Sequence, residues 1–495
     1  MKHSVKLAAA LAGLLALGAG CAGNLSGPPC TVDQYDQARA AGGRANYPRQ
    51  TILLYNLQRV TDSDLELQPR INSLNLVARL GGDEPVVLEQ LASVLSNPSN
   101  PPDLQREVLE FLLRKNYPEL TQYVIKVLPH VKANGPMRDV LMEWLTRHPT
   151  VAVLSEVVHV WGDAQPANAA DEAYFQQIVE RLSGKTWDQA LLDGLNTAGF
   201  TARGSAIEIL ARRVPIATLR PRILAMSART DTVTVVQTFL KTFNYLPSTV
   251  SELLTSAYIY KARQDVMPEV AYLANKWRDE YGYRFNIRDF HLLSRLSHDP
   301  RRVEVTRAQL ISDLAGSLAK RRHIKQGTYR AATQQDLSIR FDKQVDKLSM
   351  VDLWNLYLLN DMLSRSQIQA AFATVSGSDR EDRRYAWGGQ VFYDGPQARA
   401  TRYPPDAQVK EDDLTYNPSI RSLADGRDAL CRFHDHFEKL QNADRAGPTA
   451  EELADCKRGN YYALVLTSLG ETSFCAHYYN PQGVVISLGE FPFAK

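Results

Sequence analysis

His434 and His436 are separated by a single residue, and a second set of polar groups, Thr449 and Glu452, begins 13 residues after the second histidine. Side chains two apart on a strand point to the same face, so both imidazoles can look at one ion. A carboxylate on the first turn of a following helix would complete three protein ligands and leave a fourth position open, the arrangement of catalytic zinc. Glu452 is the carboxylate at that position, and Asp455 lies one turn further in. Thr449 with Glu452 three residues on is equally a capping box, which needs no metal. Asp435, between the histidines, is expected on the opposite face of the strand, as a surface carboxylate or one behind the ligands.

The elements that would hold these groups follow from the hydrophobic period. After Ser376 it changes from helical to alternating. Residues 387–395 (WGGQVFYDG) read as a strand entering a turn, and residues 429–436 (ALCRFHDH) as another. Residues 448–459 (PTAEELADCKRG) open a helix at Thr449. Residues 462–468 and 472–479 are strands around Gly470, and a turn at Asn480 to Gly483 leads into a last strand, VVISLG. Helix, strands, helix, strands is an α+β order. The aromatic group Tyr461, Tyr462, Phe474, Tyr478 and Tyr479 is read as core and strand packing.

This order of parts resembles the JAB/MPN (JAMM) fold of zinc metallopeptidases and deubiquitinases, over about 120 residues. The resemblance rests on His434-x-His436, on Thr449-x-x-Glu452 where the family has Ser-x-x-Asp, and on the later strands. It implies a zinc ion held by His434, His436 and Glu452. It also implies a glutamate acting as general base just before a glycine pair. Here Ala386 stands at that place, ahead of Trp387, Gly388 and Gly389, and alanine cannot move a proton. Glu381, Asp382 and Asp394 are the nearby candidate bases. Phe437 replaces the family's proline, and the loop to Thr449 is longer than the family's common spacing. A general base contributes typically ~10²–10⁴-fold, so its loss argues for a catalytically degenerate domain.

From Thr51 to about Arg330 the chain reads as helical throughout. Apolar residues recur three and four apart, as at Val108, Leu109, Leu112 and Leu113, and at Val140, Leu141, Trp144 and Leu145. Breakers at Pro85, Pro118, Pro149, Gly184, Pro215, Pro247 and Gly282 leave gaps of 33, 31, 35, 31, 32 and 35 residues. REVLEFLLRKNYP from Arg106 and RDVLMEWLTRHP from Arg138 align by type at an offset of 32. One breaker per unit marks stacked helix pairs, none of which can bury its apolar face alone. The pattern resembles HEAT-like α-solenoids, though with a period shorter than their ~40–47 residues. Such stacks offer a surface for a protein or peptide partner. Helices over 331–375 are expected to bridge to the last domain. The scattered histidines of the helical region, His291 among them, have no spaced partner and are read as structural. The basic run Lys320 to Lys325 is read as the cationic end of a helix, with a lipid-headgroup surface as its rival.

The first 21 residues set the compartment. Lys2 and Lys6 precede an apolar run from Leu7 to Gly20, too short for a membrane span and suited to an export signal. The run ends at Cys21 and resembles a bacterial lipoprotein signal, with Ala19 and Gly20 in place and Leu17 one position upstream of the usual leucine. That resemblance implies cleavage, lipidation of Cys21 and anchoring, since each buried CH₂ contributes ~0.8 kcal/mol. Ala22, which is not acidic, favours the outer membrane facing the periplasm. Residues 22–50 read as a flexible tether. In an oxidising compartment Cys30, Cys431, Cys456 and Cys475 permit disulfides, with Cys431 or Cys456 expected to bridge to Cys475.

The 495 residues exceed one core, and 57 basic against 55 acidic residues give no electrostatic reason for nucleic acid. The expectation is thus a multidomain envelope lipoprotein: a signal over 1–21, a helical-repeat solenoid over 51–330, and a JAB/MPN-like α+β domain over 376–495. It would act as a protein-binding scaffold, or alternatively as a zinc metallopeptidase or isopeptidase.

Overall fold

The computed structural model describes residues 28–40, 47–128, 137–166, 168–324, 339–381, 387–393, 398–404, 416, 418–419, 421–422 and 426–494. The export signal and Cys21 lie outside the described residues. Among the described residues no helix is long and apolar enough to cross a membrane. The chain divides into two compact units, one up to Thr234 with Ser248–Val250, the other Val235–Pro247 with Ser251 onward.

The first unit is helical. After α1 (Val32–Ala40) come α2 (Arg49–Thr61), α3 (Leu67–Arg79), α4 (Pro85–Ser96), α5 (Pro102–Arg114), α6 (Leu120–Val127) and α7 (Arg138–Arg147). They continue as α8 (Val151–Ala164), α9 (Ala169–Ser183), α10 (Trp187–Asn196), α11 (Arg203–Arg213) and α12 (Ile216–Ala225). From α2 to α9 each helix packs on its next-but-one neighbour, α2 on α4 on α6 on α8, and α3 on α5 on α7 on α9. That makes two layers of a helical repeat. The two aligned segments of sequence are α5 and α7, neighbours in one layer. They bury Val108, Leu109 and Leu112, and Leu141, Trp144 and Leu145, each side chain worth roughly 1.5–3 kcal/mol of transfer free energy.

The breakers act in two ways. Pro85 is the first residue of α4 and Pro215 caps α12, positions where a missing N–H costs no helical hydrogen bond. Gly184 instead ends α9 with φ of 67°, a left-handed conformation that favours glycine.

Helices α13 (Asp231–Phe243) and α14 (Val250–Ala262) run across the division in the chain. The second unit continues with α15 (Met267–Tyr281), α16 (Phe290–Ser297), α17 (Arg307–Leu318), α18 (Met350–Leu363) and α19 (Ser366–Glu381). Six strands follow: β1 (Gly388–Phe392), β2 (Arg399–Tyr403), β3 (Cys431–His436), β4 (Ala463–Ser468), β5 (Ser473–Tyr479) and β6 (Val485–Pro492). Between β3 and β4 lies α20 (Ala450–Gly459). The sheet order is β2-β1-β3-β4-β5-β6, antiparallel except for the parallel pair β3 and β4. The strand β2 was not expected, because RATRY carries two arginines and shows little alternation.

One face of the sheet packs on helices. Phe372 of α19 meets Phe433 and Phe474 edge-on, with ring centroids 5.1 and 5.7 Å apart. Two buried carboxylates tie helix to strand. Asp289 accepts from Tyr283 and Tyr462, each at 2.7 Å, and Asp352 accepts from Tyr478 at 3.0 Å and Asn480 at 2.9 Å. Burial pushes the Asp289 carboxyl up, while Arg288 and the two tyrosine hydroxyls pull it back. Tyr462 and Tyr478 are therefore core residues with a polar duty as well.

Two expectations are corrected here, the disulfides and the exposure of Asp435. Among the described residues no disulfide joins Cys30, Cys431, Cys456 and Cys475. Cys431 faces the helical side of the sheet with Phe433, whereas Cys475 shares the opposite face with Tyr479, so no bridge can join them. Cys456 packs against Ala463, four strand residues or roughly 13 Å from the position opposite Cys475. Burial pushes the Cys456 and Cys475 thiols up to about 12 and that of Cys431 well above its ordinary value. Asp435 does lie on the helical face, but it is 1% exposed and is no surface group. In the basic run, Arg321 reaches the Leu488 carbonyl and Ser364, and His323 reaches Ser487 and the Leu318 carbonyl. These groups fasten the segment to β6, while Lys325 lies outside the described residues.

Candidate metal centre

The parallel pairing of β3 and β4 requires a crossover, and α20 supplies it. The first turn of such a helix lies beside the carboxyl end of the strand before it, which is where β3 carries its histidines. Local sequence and topology thus bring together groups that are 16 residues apart.

His434 and His436 share the face of β3 opposite Phe433 and Cys431. His434 is 6% and His436 2% exposed. Opposite His434 across the strand pair stands Gly388 of β1. The glycine pair is needed for packing: a Cβ on Gly389 would lie 2.0 Å from the Thr401 carbonyl and 2.8 Å from the Phe433 ring. A Cβ on Gly388 would lie 2.7 Å from the Phe433 carbonyl.

Glu452 divides its two carboxylate oxygens. Oε2 accepts from the Thr449 backbone N–H at 2.5 Å while Thr449 Oγ1 accepts from the Glu452 N–H at 3.1 Å, so the capping box is formed. Oε1 stands 2.8 Å from Nε2 of His434 and 3.8 Å from Nε2 of His436. The capping and ligand readings of Glu452 are therefore compatible, one oxygen serving each.

The state of the histidines points the same way. Nδ1 of His436 lies 3.0 Å from the Arg445 carbonyl, which can only accept, so Nδ1 carries a proton and, in the neutral ring, Nε2 has the lone pair. A lone pair directed toward a carboxylate oxygen is repulsive until a cation or proton stands between them. Nε2 of His434 is buried and has no hydrogen bond, because its approach to Glu452 lacks the required alignment. Two imidazole nitrogens and one carboxylate oxygen, all within 4.8 Å of one another, could hold a metal ion. The donor set fits zinc.

The other sequence candidates stand apart. Asp455 pairs with Arg458 and is outside the group. Glu381, the last residue of α19, is exposed and also outside it. Asp382, Ala386 and Asp394 lie outside the described residues. Phe437, directly after His436, is fully buried against Phe474 and Phe493.

Two features had no sequence signal. The loop after β3 is closed by Glu438, which accepts from Asn442 at 2.7 Å and from Arg445 at 2.6 Å. Asn442 also donates to the His436 carbonyl at 3.1 Å. His291, far from any spaced partner in the chain, has Nδ1 3.6 Å from Asp428. The His291 imidazole beside it holds the Asp428 carboxyl below the usual range, with burial opposing it. Comparisons with protein families, with curated proteins and with solved structures return no match.

Proposed function

We propose that this chain is a lipid-anchored protein of the bacterial envelope that binds zinc through His434, His436 and Glu452. Its C-terminal domain is read as a relative of the JAB/MPN metallopeptidases, and its helical repeat as the surface that engages a protein partner. The observation that carries the metal reading is the division of labour at Glu452, one oxygen capping α20 and the other meeting both histidines.

The partner reading draws on the helical repeat itself. Val86, Val151 and Ile216, spaced 65 residues apart, lie in the first turn of every fourth helix, α4, α8 and α12, and are 42%, 43% and 51% exposed. Beside Val151 a groove is lined by Leu154, Leu182, Ala190 and Phe200. Apolar side chains repeated in this way suit an extended peptide or a protein edge.

Zinc analysis of the purified chain lacking residues 1–21 tests the metal reading. One zinc per chain is expected, lost in both His434→Ala and His436→Ala; a parent chain without zinc, and with stability indifferent to a chelator, overturns it.

Hydrolysis is the second reading, and it has one specific support. Three protein ligands, rather than the four of structural zinc, are the catalytic pattern. A bound zinc ion would supply Lewis acidity to a scissile carbonyl. Against it stands Ala386, and Glu381 is directed to solvent at the end of α19. The scaffold reading is therefore preferred. Chelator-sensitive cleavage of peptide or isopeptide substrates by the parent, lost in His434→Ala, would reverse that preference.

A further inference from the structure

The loop between β3 and α20 holds an internal clasp that nothing in the metal group itself requires. Glu438 is 7% and Arg445 17% exposed, and Arg445 and Asn442 both donate to Oε1 of Glu438. Asn442 is fully buried and its backbone N–H donates to the Ser468 carbonyl at 3.0 Å, which pins the clasp to the end of β4. The single turn Ala443–Arg445 follows, with the Arg445 N–H donating to the Asn442 carbonyl at 2.8 Å. Its product is one carbonyl oxygen, that of Arg445, held 3.0 Å from Nδ1 of His436.

We infer that Glu438 is a positioning residue for the metal centre: through Asn442 and Arg445 it holds the Arg445 carbonyl on His436 Nδ1–H and so keeps Nε2 of His436 the ligating nitrogen. This rests on the zinc reading above. The chemistry is general. A free neutral imidazole carries its proton on either nitrogen, and only the tautomer with Nδ1–H offers Nε2 to an ion. Groups that fix a ligating histidine from behind change metal affinity typically 10–100-fold. A buried charge pair costs desolvation, and its retention here has an explanation if the loop must present one carbonyl at one place.

The test uses Glu438→Ala and Glu438→Gln in the full chain lacking residues 1–21, read in three ways. Nitrogen-15 shifts of His436 in the metal-free protein report the tautomer. Zinc titration reports affinity, and urea unfolding of the metal-free protein reports stability. In the parent, the shifts should show Nδ1 protonated. Glu438→Ala should give a mixed tautomer and zinc binding ten- to a hundredfold weaker. Glu438→Gln, which keeps an acceptor oxygen, should fall between them. If Glu438→Ala fails to fold, the glutamine variant decides alone.

A tautomer and zinc affinity unchanged in the variants, with only stability lost, would overturn the inference and leave the clasp a fold element. Should the parent bind no zinc, the zinc reading falls, while the tautomer measurement still judges the clasp.

Discussion

Glu452 and Thr449 are locked in a reciprocal cap in which the carboxylate spends only one oxygen, leaving the other 2.8 Å from His434. A residue that holds its helix and an ion with separate atoms can lose one duty and keep the other.

Glu452→Gln and Glu452→Ala should therefore behave differently. The glutamine oxygen can still accept from the Thr449 N–H, so metal-free stability should stay near that of the parent. Zinc affinity should fall at least about tenfold with the charge gone. Alanine also removes the bond that the carboxylate accepts from the Thr449 N–H, leaving Thr449 Oγ1 on the N–H of residue 452, at a cost of about 1 kcal/mol in urea unfolding without metal. Equal stability losses in the two variants would contradict the shared role.

The three cysteines of the second unit should stay reduced in protein prepared without a reductant. With the Cys456 and Cys475 thiols pushed up to about 12, only about one in ten thousand is thiolate at pH 8. Alkylation followed by peptide mass spectrometry should find Cys431, Cys456 and Cys475 unmodified in the native chain and modified after unfolding. A Cys431–Cys475 peptide pair would refute the separation of the two faces, and a Cys456–Cys475 pair the separation along β4.

Gly389→Ala should destabilise the second unit by about 1–3 kcal/mol or more, because its Cβ would meet the backbone of β2, which cannot swing aside as a side chain can. Gly470→Ala is the control, with nothing within 4 Å of its added Cβ. Urea midpoints of the two variants should separate clearly; a neutral Gly389→Ala would show that β1 can shift away from β2.

Asp428 should give the second unit an acid-sensitive contribution. Its folded carboxyl lies below the ordinary value, held there first by the His291 imidazole 3.6 Å away. A depressed carboxyl stabilises the fold above the unfolded value of about 3.9, and that contribution is lost as pH falls through the lower, folded value. Unfolding measured from pH 5 to pH 2 should be less pH-dependent in Asp428→Asn than in the parent. Identical slopes would place the acid sensitivity elsewhere.

The candidate ligands were legible because two short-range rules located them. Alternation along β3 puts His434 and His436 on one face, and the cap pattern at Thr449 sets the start of α20. The same rules placed Asp435 on the opposite face but not its burial, since exposure depends on what α18 and α19 lay against that face. Nothing local distinguishes Glu438 and Arg445 from ordinary loop charges, because their function is to meet each other.

Sequence by itself determined the helical repeat, five of the six strands and the residues that could ligate a metal, because each of these is written in spacing along the chain. Tertiary structure alone decided that β3 and β4 run parallel, so that α20 must return Glu452 over the histidines. It also decided that the cysteines lie on different faces or strand positions, and that His291 finds Asp428. These outcomes depend on which surfaces pack together, and hydrophobic period says which face of an element is buried but not what buries it.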